Sequence, residues 1–194
     1  MNITDLDFYV TLVHYPIKNK TGEIIATAVT NMDVHDIARL AITFGFKGYY
    51  IVTPIKEQQL LVQRIIDHWR GDYGKLRNNN RSEALDIIKV VSTVEDAAKD
   101  AEKNSKKKVK LIATSARKFD RAITINDFVK TGLDKNNSYM YLFGTGWGMT
   151  DDVMSGADHI FEPLSYETDY NHLAVRSAVS IIMDRLYNGI RELT

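Results

Sequence analysis

The residues of this chain best suited to chemistry lie at Phe143-Gly144-Thr145-Gly146-Trp147-Gly148. Glycine at every second position lets a backbone approach a flat or phosphorylated small molecule more closely than any residue with a Cβ permits. The apolar run Tyr139-Met140-Tyr141-Leu142 just before it reads as a strand that ends in a tight turn. In a dinucleotide-binding α/β domain such a loop follows the first strand, with most of the sheet still to come. Here only the last quarter or so of the chain remains, room for one short strand and a closing helix. This is a ligand loop in the wrong place for that kind of domain.

A second group is Asn31, Asp33, His35, Asp36 and Arg39. A helix capped at its start by Asn31 and ended by Gly45 in the left-handed position would set Asn31, His35 and Arg39 one above another. Amide, imidazole and guanidinium in one stripe can address an anionic or hydrogen-bonding substrate. The same stripe is equally the pattern of an ordinary solvent-facing side. His35, Asp33 and Asp36 are the conventional bases in this group, although both acids also suit a first helical turn through its dipole. Successive helical residues diverge by about 100°, so Asp33, His35 and Asp36 do not converge on one ion, and no metal is expected.

The elements that must carry these groups alternate along the chain. Residues 8–14, 48–53, 87–92, 109–114, 138–143 and 159–162 read as strands, too densely apolar for one wet face. Between them lie helical patterns at about 32–44, 56–70, 94–104, 124–132, 150–156 and 171–190. The alternation implies an α/β fold, a mostly parallel sheet flanked by helices. Thr21-Gly22 is an expected turn, and the Asn-rich stretch 71–80 the expected flexible segment. No repeat or long linker divides residues 1–194, so one domain is expected. The last helix carries Leu173, Val175, Ala178, Val179, Ile181, Ile182 and Leu186, more apolar surface than one side of a surface helix needs. Such a helix is buried in a core or against a second copy.

Composition narrows the setting. With no cysteine in 194 residues there is no disulfide, thiolate catalysis or cysteine zinc site. No apolar run is long enough to span a bilayer, and no basic-then-apolar leader opens the chain over Met1 to Tyr9. A cytoplasmic protein without membrane contact is the expectation. Formal net charge is zero, yet Lys103, Lys106, Lys107, Lys108, Lys110, Arg117, Lys118 and Arg121 crowd one segment against Asp120. Arg70, Lys75, Arg77 and Arg81 surround Asn78-Asn79-Asn80. Such patches can hold phosphates on a neutral protein, or simply form solvated turns.

Three regions in order resemble the SPOUT class of S-adenosylmethionine-dependent RNA methyltransferases, the α/β-knot enzymes. Asn31 to Gly45 followed by the strand GYYIVT is similar to its first motif, an Asn and an Arg before a glycine and a strand. YLFGTGWGM is similar to its glycine loop, and Pro163-Leu164 with Asn171 to Ile182 to its knotted loop and final helix. VKLIATSA matches the strand and loop that precede them, and VTPIKEQQLLVQRIIDHW and RSEAL look like a stand-alone bacterial member.

The resemblance implies a C-terminal trefoil knot and an S-adenosylmethionine site built from three late loops. On that map the cofactor-binding residues are Thr114, Ser115, Phe143, Gly144, Thr145, Gly146, Trp147, Gly148, Pro163, Leu164, His172, Leu173 and Ala174. It also implies a homodimer with its active site at the interface, tRNA or rRNA as substrate, and a catalytic role for Arg39 with Asn31, Asp33 and His35 close by. A protonated guanidinium grips phosphate and positions a nucleophile more readily than it removes a proton. Trp147 can stack on a base or the cofactor or only cover its loop, and His172 can touch the cofactor or cap its helix. Trp69 and His68 suit packing. Thr145-Gly146 stands where ribose-methylating members carry an Asn-Glu pair, and that departure motivates the alternative, a non-catalytic RNA- or ligand-binding protein that keeps the knot. A nucleotide-binding enzyme of another kind lacks its early glycine fingerprint here.

Overall fold

The computed structural model describes residues 5–71, 76, 79–164, 168 and 170–193. Seven strands form one sheet: β1 (Asp7–Val13), β4 (Gly48–Val52), β5 (Ile88–Val91), β6 (Lys108–Ala113), β7 (Ala122–Ile123), β8 (Asn137–Gly144) and β9 (His159–Phe161). Their order is β5-β4-β1-β8-β6-β9-β7, and every pairing is parallel. A separate hairpin pairs β2 (Ile17–Lys18) with β3 (Ile24–Ile25). The helices are α1 (Asn31–Thr43), α2 (Lys56–Arg70), α3 (Asn79–Leu85), α4 (Val94–Ser105), α5 (Ile125–Asp127, continued by a π-turn over Phe128–Gly132), α6 (Asp151–Gly156) and α7 (Val175–Glu192).

The six expected strands and six expected helices are present. Every residue of β4 and all of β1 beyond Asp7 are buried, because helices cover both faces of the sheet. Alternate residues then serve two cores. Phe8, Val10 and Leu12 of β1 and Tyr139, Tyr141 and Phe143 of β8 enter one, with α1, α2, α3 and α7. Tyr9, Val13, Met140 and Leu142 enter the other, with α4 and α6.

Three local expectations shift. Thr30, not Asn31, caps α1: its backbone is extended, its Oγ1 accepts from the Asp33 amide at 3.2 Å, and it donates to Asp33 Oδ2 at 2.7 Å. Asn31 is already the first helical residue. The last helix begins at Val175, because the Asn171 amide donates to the Ala116 carbonyl at 3.2 Å and so holds residues 171–174 outside the helix. Asn79 and Asn80 start a helix rather than a loop, drawn by burial of Ala84 and Leu85 in the α1–α2 core. Residues 72–75, 77 and 78, with Lys75, Arg77 and Asn78, lie outside the described residues. The expected turn at Gly22 is present at φ 86°, and Gly45 ends α1 at φ 74°, where the Phe46 amide reaches back to the Ala41 carbonyl.

One buried polar chain ties the end of β1 to the loop after β8. His14 is buried, and its Nδ1 lies 2.9 Å from Thr27 Oγ1. Thr27 Oγ1 meets Thr145 Oγ1, which donates to the Val13 carbonyl at 3.1 Å. The direction that orphans no buried N–H runs from His14 Nδ1–H through Thr27 and Thr145 to that carbonyl, leaving Nε2 as an unpaired lone pair. Protonating Nε2 would bury a donor without a partner. Burial pushes the imidazole pKa down to about 4, against the opposing charge of Asp33.

Two outcomes follow from these contacts. A Cβ on Gly132 would stand 2.6 Å from Phe128 Cδ2, and the Phe128 ring is fully buried against Tyr139, Tyr141, His159 and Phe161. Gly132→Ala should therefore lower unfolding free energy by about 1–3 kcal/mol in urea denaturation. For His14 the folded state refuses a proton that the unfolded chain accepts below its ordinary pKa. Its contribution is complete above about pH 6.5, declines as pH falls toward about 4, and totals about 3 kcal/mol. His14→Asn, measured at several pH values in that window, should flatten the acid-side loss of stability by about that amount.

Candidate functional site

Strands β6, β8 and β9 lie side by side and end together, and the loops leaving their carboxyl ends converge. That is where ligands bind in open parallel sheets. The loops enclose a cavity of about 600 Å³, within the range of small-molecule sites. Of the expected cofactor residues, Thr114, Ser115, Phe143, Gly144, Thr145, Gly146, Trp147, Gly148, Leu164, His172 and Leu173 line it. Pro163 and Ala174 flank lining residues without lining it themselves. Ala116, Arg117, Glu162 and Asn171 also line it, as does one flank of α7 through Val175, Ala178 and Ile182. The i, i+3, i+7 spacing of those three was a readable signal; Arg117 and Glu162 had none.

Each glycine of the loop answers a different constraint. A Cβ on Gly144 would lie 2.9 Å from Met149 Cγ and 3.0 Å from the Met149 amide nitrogen, so the loop closes on itself there. Gly146 has φ 54°, and a Cβ there would lie 3.1 Å from Ile17 Cγ2 and 3.3 Å from Thr27 Cγ2. Gly148 has φ 97°. The β2 strand pins the loop from outside: Lys18 donates to the Gly148 carbonyl at 2.8 Å, and the Trp147 amide donates to the Lys18 carbonyl at 3.2 Å. The cavity floor is apolar, from Phe143, Leu164, Val175, Ala178 and Ile182, while Arg117 and Glu162 are the cation and anion among its lining residues. A zwitterion joined to a flat apolar group fits that set.

The α1 group is placed elsewhere. No residue of α1 lines the cavity. Arg39 is exposed and lines a second depression of about 570 Å³ between α1 and α7, with Asp36, Arg176, Ser177 and Ser180. Val175, Ala178 and Ile182 face the cavity while Arg176, Ser177 and Ser180 face this depression, so α7 separates the two. Asn31 is exposed at the start of α1. Asp33 is only 5% exposed and both its oxygens are engaged, Oδ2 by Thr30 and Oδ1 by Arg176 at 2.8 Å. Arg176 also reaches Asp36 at 3.3 Å. His35 turns away from Arg39 to pack edge-on against Trp69 at 5.6 Å, and burial with the nearby Arg81 lowers its pKa. The expected stripe is therefore split between two neighbours. Trp69 and His68 pack against each other, and Arg81 covers Trp69 at 4.6 Å.

The basic segment 103–121 is largely occupied. Lys107 pairs with Asp7 at 2.7 Å and Lys110 with Asp158 at 2.8 Å. Arg121 donates to the carbonyls of Met154, Ser155 and Ala157 at the end of α6. Lys108 opens β6 and Thr114 follows its end, so the lysine run lies roughly 17 Å from the cavity along the strand. Arg70 is paired with Asp86 at 2.6 Å. Among the described residues no three His, Asp or Glu side chains gather as metal ligands, and no helix is long and apolar enough to cross a membrane.

Comparison with known proteins agrees with this geometry. The profile of a family described as SAM-dependent RNA methyltransferase matches residues 7–188. An uncharacterised protein of Aquifex aeolicus is 36% identical, over 94% of this chain and 89% of its own length. A tRNA (guanine-N(1)-)-methyltransferase of Oleidesulfovibrio alaskensis is 41% identical over 93% of this chain, which spans only 42% of that relative. The SpoU methyltransferase AviRb of Streptomyces viridochromogenes, solved in complex with AdoMet, shares the fold: TM-score 0.57 at 14% identity, over 97% of this chain and 59% of AviRb. A match running nearly end to end, over a sheet whose late loops enclose the expected cavity, places this chain in the family of SAM-dependent RNA methyltransferases.

Proposed function

We propose that the cavity at the ends of β6, β8 and β9 holds S-adenosylmethionine and that the chain methylates tRNA as a homodimer. The observation that carries this reading is the Gly144–Gly148 cradle, a tight turn that only glycine can make and that lines the cavity with backbone. Arg117 suits the cofactor's carboxylate, and Glu162 its ammonium and sulfonium. The bound cofactor supplies an already activated methyl group. The protein must then orient a nucleophile, exclude water and accept a proton.

The remaining parts of the reading concern assembly and substrate. A C-terminal trefoil knot belongs to this reading, supported by the likeness to the SPOUT class. Thr145, in place of the Asn-Glu pair, keeps the loop in shape through Thr27 and His14 rather than touching substrate. Arg39 serves the cavity of a second copy, since α7 bars it from its own, and Asn31 lies on the same exposed flank. The guanidinium makes no hydrogen bond or ion pair among the described residues, as a group reserved for a phosphate would. Asp33 and Arg176 hold α1 against α7 so that Arg39 is presented. A tRNA substrate is the reading suggested by the guanine-N1 relatives, and the cytoplasm is its setting.

Calorimetric titration with S-adenosylhomocysteine tests the cavity: wild type should bind, and Gly144→Ala should lose at least about tenfold in affinity through the Met149 clash. No binding by wild type would retire the methyltransferase reading. Arg39→Ala should reduce methyl transfer by about a hundredfold while cofactor affinity stays within a few-fold. Mixing Arg39→Ala with Gly144→Ala subunits should restore part of the activity, because one dimer site then has an intact cavity and an intact arginine. Absence of rescue, with mixed dimers demonstrated, would place Arg39 in its own subunit's site.

A further inference from the structure

The mouth of the cavity carries aromatic surface that extends into solvent beyond the cavity lining. Trp147 is 56% exposed and Tyr170 75% exposed, and Leu173 beside them is 44% exposed. Large rings left in water on a folded protein mark a binding surface more often than chance. Tyr170 packs edge-on against His172 with ring centroids 5.4 Å apart, and His172 lines the same cavity as Trp147. The rings arise from two different loops, one after β8 and one before α7.

Their exposure is imposed by the backbone. The main chain on both sides of Trp147 is held by the two hydrogen bonds to Lys18, and its flanking glycines hold left-handed conformations. The indole is presented by a rigid turn, and Trp147 has no ring contact among the described residues. A third loop adds charge: Arg117 lines the cavity, with Lys118 exposed next to it. Arg117 is engaged by the Met149 carbonyl at 3.5 Å and by Asp151 at 3.8 Å, whereas Lys118 makes no ion pair among the described residues and is open to a phosphate.

Flat aromatic faces beside cationic groups match the chemistry of single-stranded nucleic acid, in which every base offers a face and every linkage a negative charge. A paired base shows only its edges, and its faces are already stacked. We propose that Trp147 and the Tyr170–His172 pair form a stacking platform for an unpaired nucleobase of RNA at the mouth of the cavity, with Lys118 meeting an adjacent phosphate. The proposal rests on the RNA methyltransferase reading and adds the form in which substrate is accepted. The platform replaces stacking that the base loses when it leaves its neighbours.

The test uses the full chain saturated with S-adenosylhomocysteine and a short unpaired RNA carrying 2-aminopurine, with its duplex as comparator. Wild type should bind the single strand more tightly than the duplex and quench the 2-aminopurine emission. Trp147→Ala and Tyr170→Ala should each weaken single-strand binding by at least about fivefold, while Trp147→Phe retains most of it. Affinity for S-adenosylhomocysteine should stay within about twofold in Tyr170→Ala, whose side chain does not line the cavity. Unchanged RNA affinity in both alanine variants would overturn the platform and leave the cofactor reading standing. So would a Trp147→Ala protein that loses the cofactor but not RNA, since Trp147 would then cover the cofactor. Wild type that binds the cofactor but no RNA also overturns the platform, whereas wild type that binds no cofactor overturns the parent reading.

Discussion

The parallel register of β8 between β1 and β6 is the constraint from which the site follows. Val13 pairs with Gly144 and Ala113 with Leu142, so three strands reach their carboxyl ends within a residue or two of one another. The loops that leave them have no choice but to meet. Strand β8 is buried on both faces through alternate aromatic and aliphatic side chains, and sliding it by one residue would exchange the contents of two cores. Loop position is thus held by core packing at a distance. The loop itself needs only to be short, and to lack the Cβ atoms that would collide with Met149 and Ile17.

A second device fixes what surrounds that loop. The hairpin β2–β3 adds backbone bonds to Trp147 and Gly148, and the His14–Thr27–Thr145 chain ties the loop's underside to the end of β1. The chain is neutral throughout. It supplies direction without burying a charge, which a carboxylate at Thr145 would have required. On the far side of α7, Arg176 joins Asp33 and Asp36 and so couples the helix that lines the cavity to the helix that carries Arg39. The two flanks of α7 therefore face different surroundings: one lines the cavity, the other the polar depression that carries Arg39.

Much of this was legible in the residues themselves. Dense apolar runs bounded by turns located every strand of four or more residues, since a strand covered on both faces leaves no room for polar alternation. The glycine loop and its tight turn could be read because glycine leaves the backbone free for such an approach. The three loops of the cavity were legible through motif order and likeness. The helix at Asn79–Leu85 was not, because Asn-rich sequence has little helical preference and burial of two residues against distant helices decides it.

The side chains of α1 show where local pattern ends. Spacing placed Asn31, His35 and Arg39 on one stripe, and a helix does place them so. What each one meets depends on elements far along the chain: Trp69 for His35, Arg176 for Asp33, and open solvent for Arg39. The same holds for Lys107 and Lys110, part of a charge run in sequence, which tertiary structure pairs with Asp7 and Asp158. Sequence by itself determined the elements, the glycine cradle and the class of fold, because these rest on backbone sterics and on which faces must be buried. Only the tertiary structure decided which ionisable groups remain free to act, because charge pairing and desolvation depend on neighbours that no local spacing specifies.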